Sequence, residues 1–390
     1  MRVLFLTHSY PRQAGDAAGS FILRLAAALQ AHDVDVTVLA PHAAGLPPSE
    51  VLEGVLVRRF RYAPAPYETL AYTGTMAEQV RAAWRARFAL GGLLGAETWC
   101  AERHIRQLGP ALLHAHWWFP SGLVASWLAR WHRLPLVTTL HGSDVRLARV
   151  TRPARLAFQY VMARSSAATA VSSWLASEAR GIAPEAPTPV VAPMPVAPEL
   201  FTPGGRRASD RLLFVGRLNR QKGLELLLRA MTLLHAQPSL DVIGDGSDAG
   251  ELRALAGALQ LDDRVRWHGA QPQPRLAEFY RAATALIVPS VEEGLGLVAV
   301  EAQLCETPVI AFDSGGIADV VQQDRTGILV DTPDAGALAS AIDDLLAHPE
   351  RGAALGRAAR AHGLSVFAPD AVAQKYAAIY TGCVARSHLR

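Results

Sequence analysis

The chain has 390 residues, half of them hydrophobic and 19% charged, with a formal net charge of +3. That length is too great for one ordinary core and predicts two domains, and the composition is that of a globular protein with no apolar run of the ~18–20 residues that a membrane span needs. Cys100, Cys305 and Cys383 have neither pairing nor metal-ligand spacing, which points to a reducing cytoplasm.

The start, Met1-Arg2-Val3-Leu4-Phe5-Leu6-Thr7-His8, is too soon broken for a signal peptide and reads as a buried first strand. Apolar runs at 3–7, 34–39, 55–61, 112–115, 136–140, 167–171 and 189–192 predict strands. Amphipathic stretches at 20–31, 76–90, 97–108, 121–132, 155–164 and 173–181 predict helices between them. Such alternation implies a parallel sheet covered on both faces. Seven prolines then crowd into residues 184–205, closed by Gly204-Gly205. Proline fixes φ and removes a donor, so this segment predicts a domain boundary with a stiff linker, placed at 191–205.

The alternation restarts with strands at 212–215, 239–243, 265–268, 285–288, 308–312 and 327–330. Helices are predicted at 224–235, 249–259, 274–282, 297–305, 317–322 and 335–347, and a last one at 370–383. The predicted fold class is α/β: two Rossmann-like lobes, 1–190 and 206–369, with parallel sheets facing across a cleft. The segment 370–390 is expected as a C-terminal helix, with packing back on the first lobe left open. Ligands of open parallel sheets bind at the carboxyl ends of the strands, so the strand-to-helix loops are where chemistry is expected.

Charge is unevenly spread. Residues 1–190 hold 19 Arg against 12 acidic residues, and 191–390 hold 19 Lys and Arg against 23. A basic first half is either a solvated arginine-rich surface or a face for an anionic acceptor or lipid headgroups. Basic residues are dispersed and no nucleic-acid signature is present, so no nucleic-acid partner is expected. Lysine is rare: there are 36 arginines but only Lys222 and Lys375.

Lys222 falls in Gly216-Arg217-Leu218-Asn219-Arg220-Gln221-Lys222-Gly223, between a predicted strand and helix. Arg217 and Lys222 near a helix N-terminus make an anion site; the alternative is an ordinary loop with solvated basic residues. Further on, Glu293 and Glu301 flank Gly294-Leu295-Gly296-Leu297 and the start of a helix. A carboxylate accepts from two vicinal hydroxyls at once, which suits a sugar or ribose. For Glu301 the alternative is a solvated helix face, but its apolar flanks mean that the carboxylate needs a partner. No His, Cys or Asp cluster has ligand spacing, so no metal is expected.

The Gly-Arg-Leu turn with its lysine, the Glu-x7-Glu element and Thr307-Pro308-Val309-Ile310-Ala311 together resemble the retaining GT-B glycosyltransferases of the family-4 type (glycosyl transferases group 1). The resemblance extends to Pro11, Gly19-Ser20-Phe21, His114-Ala115-His116-Trp117, Thr139-Leu140-His141-Gly142-Ser143-Asp144 and Ala170-Val171-Ser172-Ser173, and so covers nearly the entire chain. It departs at Gly19-Ser20, where the family has two adjacent glycines, and at Glu306, where it often has glycine.

The resemblance implies transfer of a sugar, with retention, from a UDP- or GDP-sugar to a glycan, lipid-linked or small-molecule acceptor. Polysaccharide or glycolipid biosynthesis is the implied setting. Arg217 and Lys222 would neutralise the donor diphosphate in place of a metal, with no cofactor beyond the nucleotide-sugar co-substrate. Glu293 would hold the donor sugar, Glu301 the ribose, Gly294, Leu295, Gly296 and Leu297 the sugar through backbone groups, and Asp245 would lie near the nucleotide. His141 would lie by the reacting sugar, with Gly19, His116, Trp117 and Asp144 on the acceptor side. His114 and His116 are equally consistent with structural roles. The protein is expected in the cytoplasm, with a peripheral contact at the inner membrane face left open. The rival is a non-catalytic nucleotide-sugar-binding or assembly subunit of the same fold. An NAD-dependent enzyme is excluded, because only Gly15 and Gly19 follow the first strand.

Overall fold

The structure is a computed structural model that describes the chain apart from residues 14, 17, 73–75, 206, 207, 209 and 388–390. Residues 14 and 17 belong to the acceptor loop expected at 11–21 and lie outside the description. Two compact units form: Met1–Pro195 together with the chain from Pro369 onward, and Val196–Ala368.

The first unit holds β1 (Arg2–Leu6), β2 (Asp35–Pro41), β3 (Ser49–Leu52), β4 (Val55–Phe60), β5 (Leu112–His116), β6 (Leu136–Leu140), β7 (Ala167–Ala170) and β8 (Val190–Val191). They form one sheet in the order β3-β4-β2-β1-β5-β6-β7-β8. Leu4, Phe5 and Leu6 are all buried although alternate residues point to opposite faces. That is the mark of a parallel sheet with helices on both sides. The strand β3 was not expected. It pairs antiparallel with β4 through the two-residue turn Glu53-Gly54, whose φ values of 47° and 81° suit a tight hairpin.

The second unit holds β9 (Arg211–Val215), β10 (Ser239–Ile243), β11 (Val265–Trp267), β12 (Ala285–Val288), β13 (Val309–Phe312) and β14 (Ile328–Val330). All are parallel, in the order β11-β10-β9-β12-β13-β14. The order reverses at β9, between β10 and β12, so the loops after these strands meet at a topological switch point.

Several helices differ from expectation. The stretches 76–90 and 97–108 are instead a short helix Met76–Ala82 and one long helix Trp84–Leu108. Helices Ser143–Val150 and Pro349–Phe367 were not expected, and 317–322 forms only a 3-10 turn, Gly316–Asp319. The division between units falls inside the proline-rich segment, where residues 192–197 are buried. The helix Pro369–Ser387 packs on Ser20–Leu29 in the first unit. Its Tyr380 hydroxyl lies 2.7 Å from His114 Nδ1, and its Tyr376 hydroxyl donates to the Ala192 carbonyl at 3.2 Å.

Candidate active site

In the second unit the site is built where the loops after β9 and β12 touch. After β9 the chain passes Gly216 and Arg217, buries Leu218, and makes a 3-10 turn Arg220–Lys222. Asn219 caps that turn, its side-chain oxygen accepting from the Lys222 N–H at 3.3 Å. Gly223 follows with φ 66° and opens the helix Leu224–Met231. A Cβ there would lie 1.9 Å from the Pro289 carbonyl oxygen, so only glycine lets the two loops close together. The Val291 N–H donates to the Gln221 carbonyl at 2.9 Å, and Gln221 Nε2 donates to the Glu292 carbonyl at 3.1 Å.

This closure places Lys222 against Glu293. The ammonium lies 2.6 Å from the Glu293 Oε2, and Glu293 is 8% exposed. Burial alone would raise the carboxyl pKa. The Lys222 charge, with hydrogen bonds from Lys222, Ser290 and the Gly294 N–H, outweighs burial and holds it below the ordinary value. The loop after β13 supports Glu293 from behind: its N–H donates to the Ser314 carbonyl at 3.3 Å, and the Gly316 N–H donates to its carbonyl at 2.6 Å. Gly315 makes that approach possible, since a Cβ would meet the Glu293 carbonyl at 2.3 Å. Gly294, Leu295 and Gly296 then lead into the helix Leu297–Leu304.

Glu301 lies on that helix and is 7% exposed. The Tyr280 hydroxyl donates to its Oε2 at 2.8 Å, and Gln273 Nε2 donates to its Oε1 at 3.3 Å. The partner that apolar flanks demand is thus supplied by the helix Gln273–Ala282. Burial and the adjacent carboxylate push the Tyr280 hydroxyl well above its ordinary value, so it stays a donor. Asp245, after β10, is exposed; its carboxylate accepts from the Gly246 N–H at 2.8 Å, and its carbonyl accepts from the Leu218 N–H at 2.9 Å. Arg217 is exposed and makes no ion pair among the described residues. The second unit therefore brings together Lys222, Glu293 and the 294–297 turn, with Arg217 on the same loop as Lys222 and Asp245 on the neighbouring loop after β10.

In the first unit β1, β5 and β6 are adjacent and in register, so the residues just past their ends converge. These are His8, Trp117 and His141, with His116 as the last residue of β5. His116 Nδ1 is 3.1 Å from His141 Nε2, so one imidazole donates to the other. The Trp117 ring centroid lies 4.5 Å from that of His8 and 4.4 Å from that of His141, and Phe21 approaches His141 at 5.2 Å. Trp117 has φ 65°, rare for a bulky residue; its N–H donates to the Thr139 carbonyl at 2.9 Å. Gly19, with φ 70°, sets the helix carrying Phe21 against the Ser9 carbonyl.

Burial lowers all these imidazoles: His8 to about 4, and His114, His116 and His141 well below 6.5, the last three also by mutual repulsion. They are neutral at pH 7. Asp144 is buried, and its carboxylate accepts from the backbone N–H groups of His141, Gly142, Val145 and Trp118 at 2.9–3.4 Å. It shapes the loop rather than presenting a free carboxylate. His114 is also turned inward, 2.7 Å from Thr139 Oγ1.

Sequence reasoning missed three members of these constellations. His8 carried a readable signal, since it follows its strand as His141 follows β6. Tyr280 and Gln273 carried none, because they lie more than twenty residues before Glu301 on a helix whose inward face only the fold reveals. Among the described residues no group of three or more His, Cys, Asp or Glu side chains is arranged to hold a metal ion, and no helix is long and apolar enough to cross a membrane.

Comparison with known proteins agrees with this geometry. Residues 203–362 match glycosyl transferases group 1, and residues 18–199 match Glycosyltransferase Family 4. A D-inositol 3-phosphate glycosyltransferase of Streptomyces scabiei is 34% identical over 95% of this chain and 87% of its own length. The protein of that name from Thermobispora bispora is 32% identical over 96% and 92%. Sucrose-phosphate synthase from Thermosynechococcus elongatus superposes with a TM-score of 0.81 at 24% identity, over 99% of this chain and all of that one. Anabaena Alr3699/HepE in complex with UDP and glucose gives a TM-score of 0.75 at 18% identity, over 98% and 100%. The loops joined by Gly223 and Gly315, the two units and these matches lead to one conclusion: the chain belongs to the family-4 glycosyltransferases and has the GT-B fold.

Proposed function

We propose that the protein transfers a sugar, with retention of configuration, from a nucleotide diphosphate sugar to a hydroxyl acceptor. The observation that carries this reading is the Lys222–Glu293 pair at the joined ends of β9 and β12. It presents a cation and a carboxylate side by side, matching a ligand whose diphosphate and sugar hydroxyls are adjacent. Lys222 Nζ has three N–H groups and uses one on Glu293, so two remain for phosphate oxygens. Arg217 adds a second, exposed cation. Glu293 accepts from sugar hydroxyls, the backbone of 294–297 approaches the sugar, and Glu301 accepts from the ribose with its orientation fixed by Tyr280 and Gln273.

The reaction is front-face displacement. The bond from the anomeric carbon to the diphosphate oxygen breaks, the bond to the acceptor oxygen forms on the same face, and the acceptor proton passes to the departing diphosphate. Arg217 and Lys222 stabilise the charge that grows on the leaving group, the task a divalent metal performs elsewhere. In the first unit, neutral His141 and the rings of His8, Phe21 and Trp117 offer apolar faces and neutral hydrogen-bonding groups to an acceptor. UDP-glucose and inositol 3-phosphate are the first pair to test, given the HepE complex and the names of the relatives. The experiment is product analysis by NMR with purified protein, a panel of UDP- and GDP-sugars, and EDTA present or absent. An anomerically retained glycoside formed in EDTA is expected. An inverted product refutes retention, restoration only by Mg²⁺ or Mn²⁺ refutes the metal-free reading, and donor binding without turnover favours the non-catalytic subunit.

A further inference from the structure

Half of the chain's eight tryptophans lie exposed on two adjacent helices of the first unit. Trp84, Phe88, Trp99, Trp127 and Trp131 are between 47% and 79% exposed. On the helix Trp84–Leu108, Trp84, Phe88, Gly91, Gly95 and Trp99 follow at intervals of four, three, four and four, which is a single helical stripe. Gly91 and Gly95 are exposed and place no polar side chain over it. The opposite side of the helix carries Ala86, Ala89 and Leu93, which are buried. Trp127 and Trp131 lie one turn apart on the helix Leu123–His132, which packs against the first, and His132 bonds to Glu102 across the two. A single exposed apolar ring needs no explanation, but five on one surface mark an interaction site.

The surroundings are basic. Seven exposed arginines lie between residues 81 and 133, against two glutamates at the surface, Glu78 and Glu102, the latter bonded to Arg106 and His132. Beside Trp99 opens a cavity of about 290 Å³ whose lining includes Arg58, Arg59, Arg103 and His104 and no carboxylate. Arg59 is committed to Glu50 at 2.6 Å, but Arg58 Nε is buried and has no hydrogen-bond partner among the described residues.

We propose that this face docks on an anionic lipid bilayer, with the aromatic rings entering the interface and the arginine-lined cavity taking a lipid phosphate. Tryptophan and arginine are the side chains that settle at the headgroup level, one through its amphipathic ring and the other through its charge. A second copy is the poorer occupant, because a two-fold contact through this face sets like charge against like. The inference rests on the first unit's surface alone and is independent of the transfer reaction.

Flotation of the full-length protein with phosphatidylcholine vesicles, with and without about one-third phosphatidylglycerol, tests it. Binding to the anionic vesicles that weakens with salt is expected, with quenching of tryptophan emission by bromine-labelled lipid. The triple variant Trp84→Ser, Phe88→Ser, Trp131→Ser changes only exposed positions, so it retains its melting temperature and loses about tenfold in vesicle partitioning. Arg58→Gln with Arg103→Gln reduces the preference for phosphatidylglycerol. Absence of wild-type binding at low salt overturns the proposal, as does a triple variant that binds like wild type. Binding of inorganic phosphate by a protein that does not bind the anionic vesicles, or a dimer that the triple variant abolishes, overturns it equally.

Discussion

Removing the Lys222 ammonium tests the candidate active site most directly. At 2.6 Å and an effective dielectric constant near 20, the pair attracts by about 6 kcal/mol before desolvation is counted. Desolvation consumes much of that, and Lys222, with its side chain 22% exposed, keeps some contact with water. Lys222→Ala is therefore expected to destabilise the second unit by about 2–3 kcal/mol at neutral pH, below the full cost of orphaning a deeply buried charge. Protonation gives the effect a sign. In the wild type the Glu293 carboxyl is held below its ordinary value, so its contribution to stability is present above the unfolded value and lost as pH falls through the folded one. Without Lys222 only the lesser hydrogen bonds oppose burial, and the carboxyl rises and takes up a proton as pH falls.

The melting-temperature gap between wild type and variant should thus be wide at pH 7.5 and narrow near pH 4.5. Glu293→Gln in the Lys222→Ala background should restore stability, because a neutral amide needs no cation. Catalytically the variant should lose about 2–4 kcal/mol in kcat/KM, roughly 30- to 1000-fold, as the leaving diphosphate loses its cation. Thermal melts across pH and initial rates with the best nucleotide sugar measure both. A gap that stays constant with pH, or a double variant no more stable than Lys222→Ala, refutes the argument.

Arg217→Ala should lower kcat/KM by about 2–4 kcal/mol while leaving the melting temperature unchanged, since the side chain is exposed; equal rates would remove it from the site. Glu293→Gln should depress transfer while nucleoside diphosphate binding survives, and Glu301→Ala should weaken that binding in calorimetry; equal affinities for the two variants would refute the division of roles. Gly223→Ala, with its Cβ 1.9 Å from the Pro289 carbonyl, should cost about 3 kcal/mol or more and abolish donor binding. His8 should titrate by NMR at about 4, so stability is full above the unfolded value near 6.5 and falls as pH drops from there toward 4; a normal titration would show that its ring is solvated.

The pattern of strands and the main polar residues of the site were legible because a doubly wound sheet sends its loops to one edge. Once β9 and β12 are recognised, Lys222 and Glu293 must lie at that edge, and the glycines between them advertise a close approach. Glycine misled where it served packing inside a helix. The stretch 91–96, with Gly91, Gly92 and Gly95, lay outside the predicted helices, yet Trp84–Leu108 is continuous, and a Cβ on Gly92 would meet the Tyr62 carbonyl at 2.2 Å. Gly356 does the same in Pro349–Phe367, against the Glu306 carbonyl. Both are places where a helix lies close to another backbone, a demand no local pattern reveals. The exposed aromatic set on the two outer helices is scattered over nearly fifty positions and becomes a surface only after folding.

The first unit is assembled from two stretches of chain separated by the entire second unit. During synthesis residues 1–195 emerge with the buried His114 and Thr139 in place but without Tyr380 and Tyr376, which arrive only after the second unit has been made. Thr139 keeps Thr169 and His114 Nε2 as partners, but His114 Nδ1 has none until Tyr380 is made, and burying it unpaired costs about 1–3 kcal/mol. The contiguous second unit has all its residues by 368, before the first unit has its last helix. A stop between residue 368 and the end of the helix Pro369–Ser387 leaves a finished second unit joined to an incomplete first one, and a fragment ending at residue 195 lacks the helix that completes the first unit.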